Sequence, residues 1–539
     1  MAGGAAGALL LAHWLWRIPL GIGWYHDDGT YVATASGIAE GLGPRLQYLA
    51  GAPFATRYPL LWPSLLAIVL RLARASHGDL IGPLVLLPIA LAFPLALLAW
   101  GRILRSGWRL GATITSLLLA ALALNPLCLE FCRFPMSEIP FLALSLWAVA
   151  LADDPAPPSP GREAAAACLA VAAVHTRLAG AVLVGALLCA FAIRRRGFAF
   201  VFTLLLAGAS LGAWAFFLRE ARAANGALAA SPLLAYDLGY GGYAAGGPGR
   251  ILQAAVELPR TAFFATHIAL GATLPMGLLA RAQAGGSSLP LAAAVLGLVA
   301  LLARGARARL RTRSALGAFA RVETWYVPLT LGVVLIWPAA TWRLLLPIAP
   351  WILSLPVLGI GGQARTRGMP ELAALALVVL AIAGLPWNVP PAPGVFLAGG
   401  MAVDAGSLER AMNAVRRLPG DAVVGSPMAP LVWLRTQRRG VGSWVEQGVE
   451  GISLRGRSLR TFFIGGGEDP ESDLRSIREA IAEYPGLGVG YALSRKFPPP
   501  DLFGATVADV PGTRLLFGER DYDLYALPRS ETRAEGGPR

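Results

Sequence analysis

The apolar residues of this chain neither alternate nor recur along a single stripe; they run on without interruption. Residues 80–101, 110–129, 197–218 and 344–364 carry no formal charge, and each approaches or exceeds the roughly 20 residues that a helix needs to cross a bilayer. Followed along the chain, the pattern predicts spans at 5–24, 79–101, 110–131, 138–152, 163–176, 178–193, 197–218, 285–303, 323–340, 344–362 and 371–388. The expected fold is therefore an all-α polytopic membrane domain of about eleven transmembrane helices. Stretch 5–24 reads as a retained first span. Its apolar run meets Trp14, Arg17 and Pro19 with neither a basic leading region nor a clean cleavage site.

Arginines punctuate these runs. They bunch at Arg102, Arg105 and Arg109, at Arg162, at Arg194 to Arg196, at Arg304 to Arg313, and at Arg365 and Arg367. Short basic connections belong on the cytoplasmic side, so an even number of spans must separate any two of them. Two apolar stretches would break that parity if they crossed. Residues 58–73 carry Pro59, Pro63 and Arg71 and read as a helix lying on the outer membrane surface. Residues 261–280, which hold His267, Pro275 and Met276, are long enough to span, and parity alone keeps them outside. The resulting topology in the cell membrane has a cytoplasmic N-terminus and an exoplasmic C-terminus.

After Pro386 to Pro393 the pattern changes. Short β-like runs (Asp421 to Gly425, Thr461 to Ile464, Gly488 to Ala492, Leu515 to Phe517) alternate with helical ones at 407–418 and 470–484. The first of these helices is expected to open on Ser407 as N-cap and to end at Gly420. The organisation predicted is a transmembrane domain over 1–389, a linker over 390–403 and a small extracytoplasmic α/β domain over 404–539. Gly465-Gly466-Gly467 lacks the GK[ST] of a phosphate loop and reads as a turn.

Composition excludes a mainly soluble protein: 55% of residues are hydrophobic and 14% charged, against roughly 25% charged in soluble domains. The net charge of +14 would suit a nucleic-acid partner, but residues 1–389 hold 28 Arg against 14 acidic side chains and account for all of it. Placed between spans, that excess is the positive-inside pattern, and no nucleic acid is expected. Cys128, Cys132, Cys168 and Cys189 show no CxxC spacing and imply neither disulfides nor zinc.

Ionisable groups near a membrane are costly, so those not explained by cytoplasmic anchoring are functional candidates. The topology gathers His26, Asp27, Asp28, Arg57, Arg133, Glu138, His175, Arg177, His267 and Arg343 on the exoplasmic side. In Tyr25-His26-Asp27-Asp28-Gly29-Thr30-Tyr31, ahead of a helix expected at 31–41, paired carboxylates suit a general base; they equally suit a helix N-terminus. Thr56-Arg57-Tyr58-Pro59, opening the surface helix, suits a phosphate or an interfacial anchor. Glu138 in Arg133-Phe134-Pro135-Met136-Ser137-Glu138 heads a helix, where dipole and chemistry both favour an acid. Arg177 and Arg343 lie outside against the charge bias; a lipid-linked phosphate or snorkelling to headgroups accounts for either. His26, His175 and His267 lack metal-ligand spacing.

Together these segments resemble the integral-membrane glycosyltransferases of GT-C type, in particular the protein O-mannosyltransferases and bacterial lipid A aminoarabinose transferases. Asp27-Asp28-Gly29-Thr30-Tyr31 is similar to their acidic motif after the first span, Arg57-Tyr58-Pro59-Leu60 to their Pro-rich surface helix, and Ser137-Glu138 to their second acidic site. Thr176-Arg177 and Arg343-Leu344-Leu345-Leu346-Pro347 complete the set, with Leu344 where the family commonly has Tyr. The likeness covers about residues 1–360. It implies an inverting transfer from a polyprenyl-phosphate-linked sugar to an acceptor hydroxyl on a glycan, lipid or protein, with Asp27 as base. Arg57, Arg177 and Arg343 would receive the departing phosphate, and Tyr31, Tyr58 and Arg133 would line the cavity with the histidines. Asp28 and Glu138 would position the acceptor or hold a divalent metal; metal dependence varies across the type, and no cofactor is expected here. A transporter or flippase of lipid-linked sugars is the alternative, less favoured because transporters place charges near the midplane and often show inverted repeats. A non-catalytic scaffold is the third possibility.

Overall fold

The structure, a computed structural model, describes residues 22–23, 27–73, 83–226, 289–311, 315–336, 342–361, 368–384, 395–398, 401–426, 428–442, 484–495, 502–518 and 521–528, with scattered positions between 228 and 270 and at 478, 481 and 482. The first expected span, 5–24, lies almost wholly outside them, as do the run Thr461 to Ile464, most of 470–484, and Gly465-Gly466-Gly467.

Helix α1 (Asp27–Ala39) is followed by a loop and α2 (Leu61–Ala73), then α3 (Leu87–Arg102), which runs into a π-helical turn at Ile103–Gly107. α4 (Ala112–Ala123) and α5 (Pro126–Cys132) are one apolar run bent by 55°. Asn125 makes the break, accepting the Leu127 amide at 3.1 Å ahead of Pro126, since proline is tolerated at the first helical position. Next come α6 (Glu138–Ala152), α7 (Pro160–Thr176), α8 (Ala181–Ile193), α9 (Gly197–Asn225), α10 (Leu289–Arg311) and α11 (Val322–Ile336). A short α12 (Trp342–Leu345) leads through a 3-10 turn at Leu346–Ile348 into α13 (Ala349–Gly361), and α14 (Met369–Gly384) follows.

Among the described residues three helices are long and apolar enough to cross a membrane alone, at Leu87–Gly107, Gly197–Asn225 and Arg343–Ile360, and the bent α4–α5 pair would make a fourth. These helices do not by themselves account for the expected eleven crossings; among the described residues α6, α8, α11 and α14 are shorter apolar helices. The faces of α3 show what surrounds the bundle. Ile89, Phe93, Ala96 and Trp100 point inward and are buried, while Leu87, Leu91, Leu95 and Leu98 point outward and are 46–63% exposed. A helix apolar on both faces fits a hydrocarbon solvent and not water.

α6 is the spine. Ile139, Phe141, Leu142, Leu146 and Val149 are buried around its whole circumference, and it packs against both α3 and α7. Glu138 stands at its start and Asp153 just beyond its end. Among the described residues the arginines of four connections kept on one side by parity meet at the Asp153 end, while Arg313, Arg365 and Arg367 lie outside the described residues. Arg194 pairs with Asp153, Arg102 and Arg162 pair with Asp154, and Arg309 and Arg321 reach Glu323 at 2.6 and 2.8 Å. Burial works against the charge on Asp154, but the Ala156 amide with Arg102 and Arg162 outweighs it and holds that carboxyl below its usual range. Asp153 also accepts the Val322 amide at 3.1 Å, placing a negative charge on the N-terminus of α11, where the dipole favours it.

Three boundaries up to residue 404 differ from expectation. α1 begins at Asp27 rather than residue 31, so the acidic pair forms its first turn. Arg57 and Tyr58 lie in the loop before α2, because Pro59 keeps the helix from starting ahead of it. Residues 395–404, expected within the linker and the start of the last domain, pair as a hairpin of β1 (Val395–Ala398) and β2 (Met401–Asp404).

The C-terminal domain is a mixed sheet of order β4-β3-β5-β7-β6, made of β3 (Val423–Ser426), β4 (Arg439–Gly442), β5 (Val489–Arg495), β6 (Arg514–Gly518) and β7 (Tyr522–Ala526). β3 lies parallel to β4 and β5, whereas β7 is antiparallel to β5 and β6. Helices α15 (Ala405–Arg416), α16 (Ala429–Thr436) and α17 (Leu502–Ala508) accompany it. α15 starts earlier than expected: its cap is Asp404, which accepts the Gly406 amide at 2.7 Å and the Ser407 amide at 3.3 Å, and Ser407 is buried inside the first turn.

Replacing Asp153 by Asn should remove the charge that joins α6, α8 and α11. The expected loss is about 2 kcal/mol, below the full cost of breaking a buried pair because Arg194 is partly exposed. Denaturant unfolding in detergent would read it, with exposed Asp509→Asn as a control expected to stay within about 0.5 kcal/mol.

Candidate active site

At the Glu138 end of α6 four elements converge: the first turn of α1, the loop before α2, the start of α6 with its preceding connection, and the break between α7 and α8, closed from above by α12. Each turns a polar side chain inward. Asp27, 7% exposed, accepts from the Tyr58 hydroxyl on Oδ1 and from Arg343 Nη2 on Oδ2 at 2.8 Å. Arg343 reaches Glu138 Oε1 through Nε at 2.8 Å and Nη2 at 2.7 Å. Arg177 Nη1 meets the same Oε1 at 2.6 Å. One guanidinium therefore joins both carboxylates, and a second holds Glu138 from the other side.

Local structure explains why these groups are available. Ser137 occupies the N-cap of α6, where serine ordinarily caps an amide, yet its side chain makes no capping bond. Its Oγ bonds the Tyr31 hydroxyl at 3.0 Å and accepts from Arg177 Nη1 at 3.3 Å. Arg177 itself sits in extended conformation between α7 and a 3-10 turn at Leu178–Gly180, so the break in the helix pair presents its side chain to the cluster. Burial opposes the Arg177 charge, but Glu138 and Tyr31 outweigh it and the group is held above its ordinary range. Burial, chiefly, pushes the Tyr31 phenol well above its ordinary range as well, which keeps it a protonated hydroxyl.

Aromatic rings frame the charges. The Tyr31 and Tyr58 rings lie 4.9 Å apart and tilted, Arg57 rests over the Tyr58 ring at 4.8 Å, and Arg343 lies 5.9 Å from the Phe131 ring centre. Trp62 Nε1 donates to the Pro135 carbonyl at 2.9 Å, tying α2 to the connection that delivers Ser137 and Glu138.

The cluster thus unites Asp27, Tyr31, Tyr58, Arg57, Glu138, Arg177 and Arg343, drawn from sequence positions more than 300 residues apart. Asp28 holds the chain ahead of α1. Fully buried, it accepts the Gly23 amide on Oδ2 at 2.7 Å. Arg133 is buried in the connection ahead of α6, and His175 is bonded to Ser210 on α9. His26 and His267 lie outside the described residues. Ser137, quoted in the sequence only as the neighbour of Glu138, proves to be a member of the network, and one buried acid drew no attention in the sequence: Glu130, a carboxylate 2% exposed inside α5. An acid within the apolar stretch 110–131 was the signal that could have found Glu130. Among the described residues no three His, Cys, Asp or Glu side chains converge as a metal set.

Chemically, a carboxylate offers about four acceptor positions, and Tyr58 and Arg343 occupy one on each oxygen of Asp27. The orientation of Asp27 is fixed by these two bonds. The guanidiniums of Arg57, Arg177 and Arg343 make the corner suited to an anion with several oxygens.

No protein-family model matches the chain, and no curated protein matches it in sequence. Solved structures similar to it include ArnT from Cupriavidus metallidurans bound to undecaprenyl phosphate, at 13% identity over 99% of this chain and 98% of that one, with a TM-score of 0.41. Another is the archaeal oligosaccharyltransferase AglB from Archaeoglobus fulgidus in complex with an inhibitory peptide and a dolichol-phosphate, at 12% identity over 91% of this chain and 69% of that one, TM-score 0.48. The Archaeoglobus fulgidus oligosaccharyltransferase in complex with Zn and sulfate is similar at 13% identity over 92% and 68%, TM-score 0.49. ArnT and AglB are both GT-C glycosyltransferases.

Proposed function

We propose that this chain is a membrane glycosyltransferase that moves a sugar from a polyprenyl-phosphate-linked donor to an acceptor hydroxyl, with inversion, using Asp27 as general base. The observation that carries the proposal is the arrangement around Asp27: a buried carboxylate oriented by Tyr58 and Arg343, beside a Glu138 that clamps Arg343 and Arg177. In this proposal the acceptor O–H gives its proton to Asp27 as its oxygen attacks the anomeric carbon. The bond from that carbon to the phosphate oxygen breaks, and its electron pair leaves with the phosphate. Charge therefore grows on the phosphate in the transition state, and preorganised cations at that point lower the barrier. Arg343, Arg177 and Arg57 supply them, while Glu138 positions the first two.

The topology that goes with this function puts the arginine-rich end of the bundle in the cytoplasm, by the positive-inside rule, and the site with the C-terminal domain outside. A lipid carrier is the donor form suited to a site there, because nucleotide sugars are a cytoplasmic supply. The acceptor is a hydroxyl of a glycan, lipid or protein of the cell envelope. The scheme asks for no cofactor. The clustering of charge at one end of α6, away from the middle of the bundle, favours an enzyme over a transporter of the same lipid.

Purified protein in detergent, given polyprenyl-phosphate-linked sugars and acceptors extracted from native membranes, is expected to release free polyprenyl phosphate, followed by mass spectrometry. Asp27→Asn should lower that release by roughly 10²–10⁴-fold, the range of a general base; release equal to wild type would remove Asp27 from the role. Arg343→Lys should cost roughly 10²–10³-fold in turnover, because an ammonium cannot hold Asp27 and Glu138 together as a planar fork does. Unchanged turnover in that variant would count against a phosphate-facing Arg343.

A further inference from the structure

The C-terminal domain touches the helix that carries Asp27, and the contact is unusually close. Helix α16 packs against α1, with Ala429, Pro430, Leu431 and Val432 buried in the contact region. A Cβ placed on Gly29 would lie 2.5 Å from Pro430 Cβ and 2.8 Å from Gly23 Cα, and one on Gly23 would lie 2.8 Å from Leu431 Cα. Gly23 is also at φ +94°, a conformation glycine adopts without steric penalty. These two glycines flank the acidic pair, and the Asp28 carboxylate closes the loop between them by accepting the Gly23 amide at 2.7 Å.

A second attachment lies nearby. The Gly440 amide, at the edge strand β4, donates to the Tyr48 carbonyl at 2.6 Å, and Leu49 forms a parallel bridge with Gly440. Tyr48 is fully buried and its hydroxyl meets Thr30 Oγ1 at 3.3 Å. The first turn of α1 is therefore gripped from the same domain at two neighbouring points, Gly29 directly and Thr30 through Tyr48. Asp27 is two residues from the first of these points.

We infer that the C-terminal domain is a positioning element of the active site, in which Pro430 sets the place of the α1 first turn and hence of the Asp27 carboxylate relative to Tyr58 and Arg343. Its catalytic consequence rests on the glycosyl-transfer function proposed above; the coupling itself does not. Displacement of a reacting group by about 1 Å is enough to cost roughly 10²-fold in rate. Only a residue without a Cβ at 29 lets Pro430 seat, so a methyl group there should push the turn aside; removing the Pro430 side chain relieves the closer of its two contacts, at 2.5 Å, and leaves the one with Gly23 Cα, so the turn should return in part.

The test compares full-length wild type, Gly29→Ala, Pro430→Gly and the double variant Gly29→Ala/Pro430→Gly. Hydrogen exchange of the amides at 27–35 reports positioning whatever the reaction, and release of polyprenyl phosphate reports catalysis. Gly29→Ala is expected to speed exchange in that segment by about tenfold or more and to lower turnover by roughly 10²-fold, with the KM for the lipid donor changed much less than kcat. The double variant should recover a clear part of both readouts, the remainder being the contact with Gly23 Cα. The inference is overturned if Gly29→Ala exchanges as wild type does, or if the double variant is no better than the single one. Should Gly29→Ala fail to give monodisperse protein, the same comparison is read as recovery of monodisperse protein in the double variant, and no recovery overturns the inference. If wild type itself releases no polyprenyl phosphate, the proposed transfer fails while the exchange comparison still decides the coupling.

Discussion

The guanidinium of Arg343 allows two carboxylates to share one buried corner. Asp27 and Glu138 both approach its Nη2, at 2.8 and 2.7 Å, and without a cation between them two anions in a poorly solvated place would repel each other strongly. Burying a charge is tolerated when it is paired and hydrogen-bonded, and here each carboxylate also has its own second partner, Tyr58 for Asp27 and Arg177 for Glu138. The rest of the site follows from keeping that arginine in place. α12 exists as a single turn ahead of α13, the α7–α8 pair breaks to admit Arg177, and Ser137 gives up capping α6 to join the network.

α6 transmits this order through the bundle. Because it is apolar around its circumference and enclosed by α3 and α7, it has no wet face along which to adjust, so its two ends are fixed relative to each other. One end carries Glu138 and the other meets the ion pairs of Asp153, Asp154 and Glu323. Those pairs collect the connections of α3, α7, α8, α10 and α11, which makes the arginine-rich end a brace for the opposite end where the chemistry is proposed. A close-packed helix interior transmits strain instead of absorbing it.

The C-terminal domain adds a constraint of a different kind. Its sheet is an ordinary small α/β arrangement with its own cap at Asp404, but its buried residues continue the core of the helices, and α16 is seated against a turn that carries glycine at 23 and 29. A glycine within a helix, as Gly29 is, weakens it relative to alanine. Here the absent Cβ atoms are what allow the domain to press on the acidic turn, so local helix stability is exchanged for definition of a carboxylate.

Much was legible in the residues themselves. Unbroken apolar runs fixed the class of fold, since only helices or closed barrels satisfy their backbone in lipid. The arginine clusters grouped the connections, and among the described residues Arg102, Arg162, Arg194 and Arg309 do meet at one end of α6. Costly ionisable residues near a membrane marked Asp27, Glu138, Arg177 and Arg343, because their type and place in the chain needed a reason. What the chain did not disclose is which of them touch. Nothing local separates Asp27 from Asp28, yet one faces the arginines and the other pins Gly23, a difference set by the direction in which α1 leaves its first turn. Ser137 and Ser407 show the same limit. Both look like helix caps, but one is drawn into a network by Tyr31 and Arg177, and the other is displaced by an aspartate three residues earlier. Hydrophobic pattern and charge cost are properties of a segment and can be read along it. Pairing between residues hundreds of positions apart is decided by how the helices pack, and only the tertiary structure holds that information.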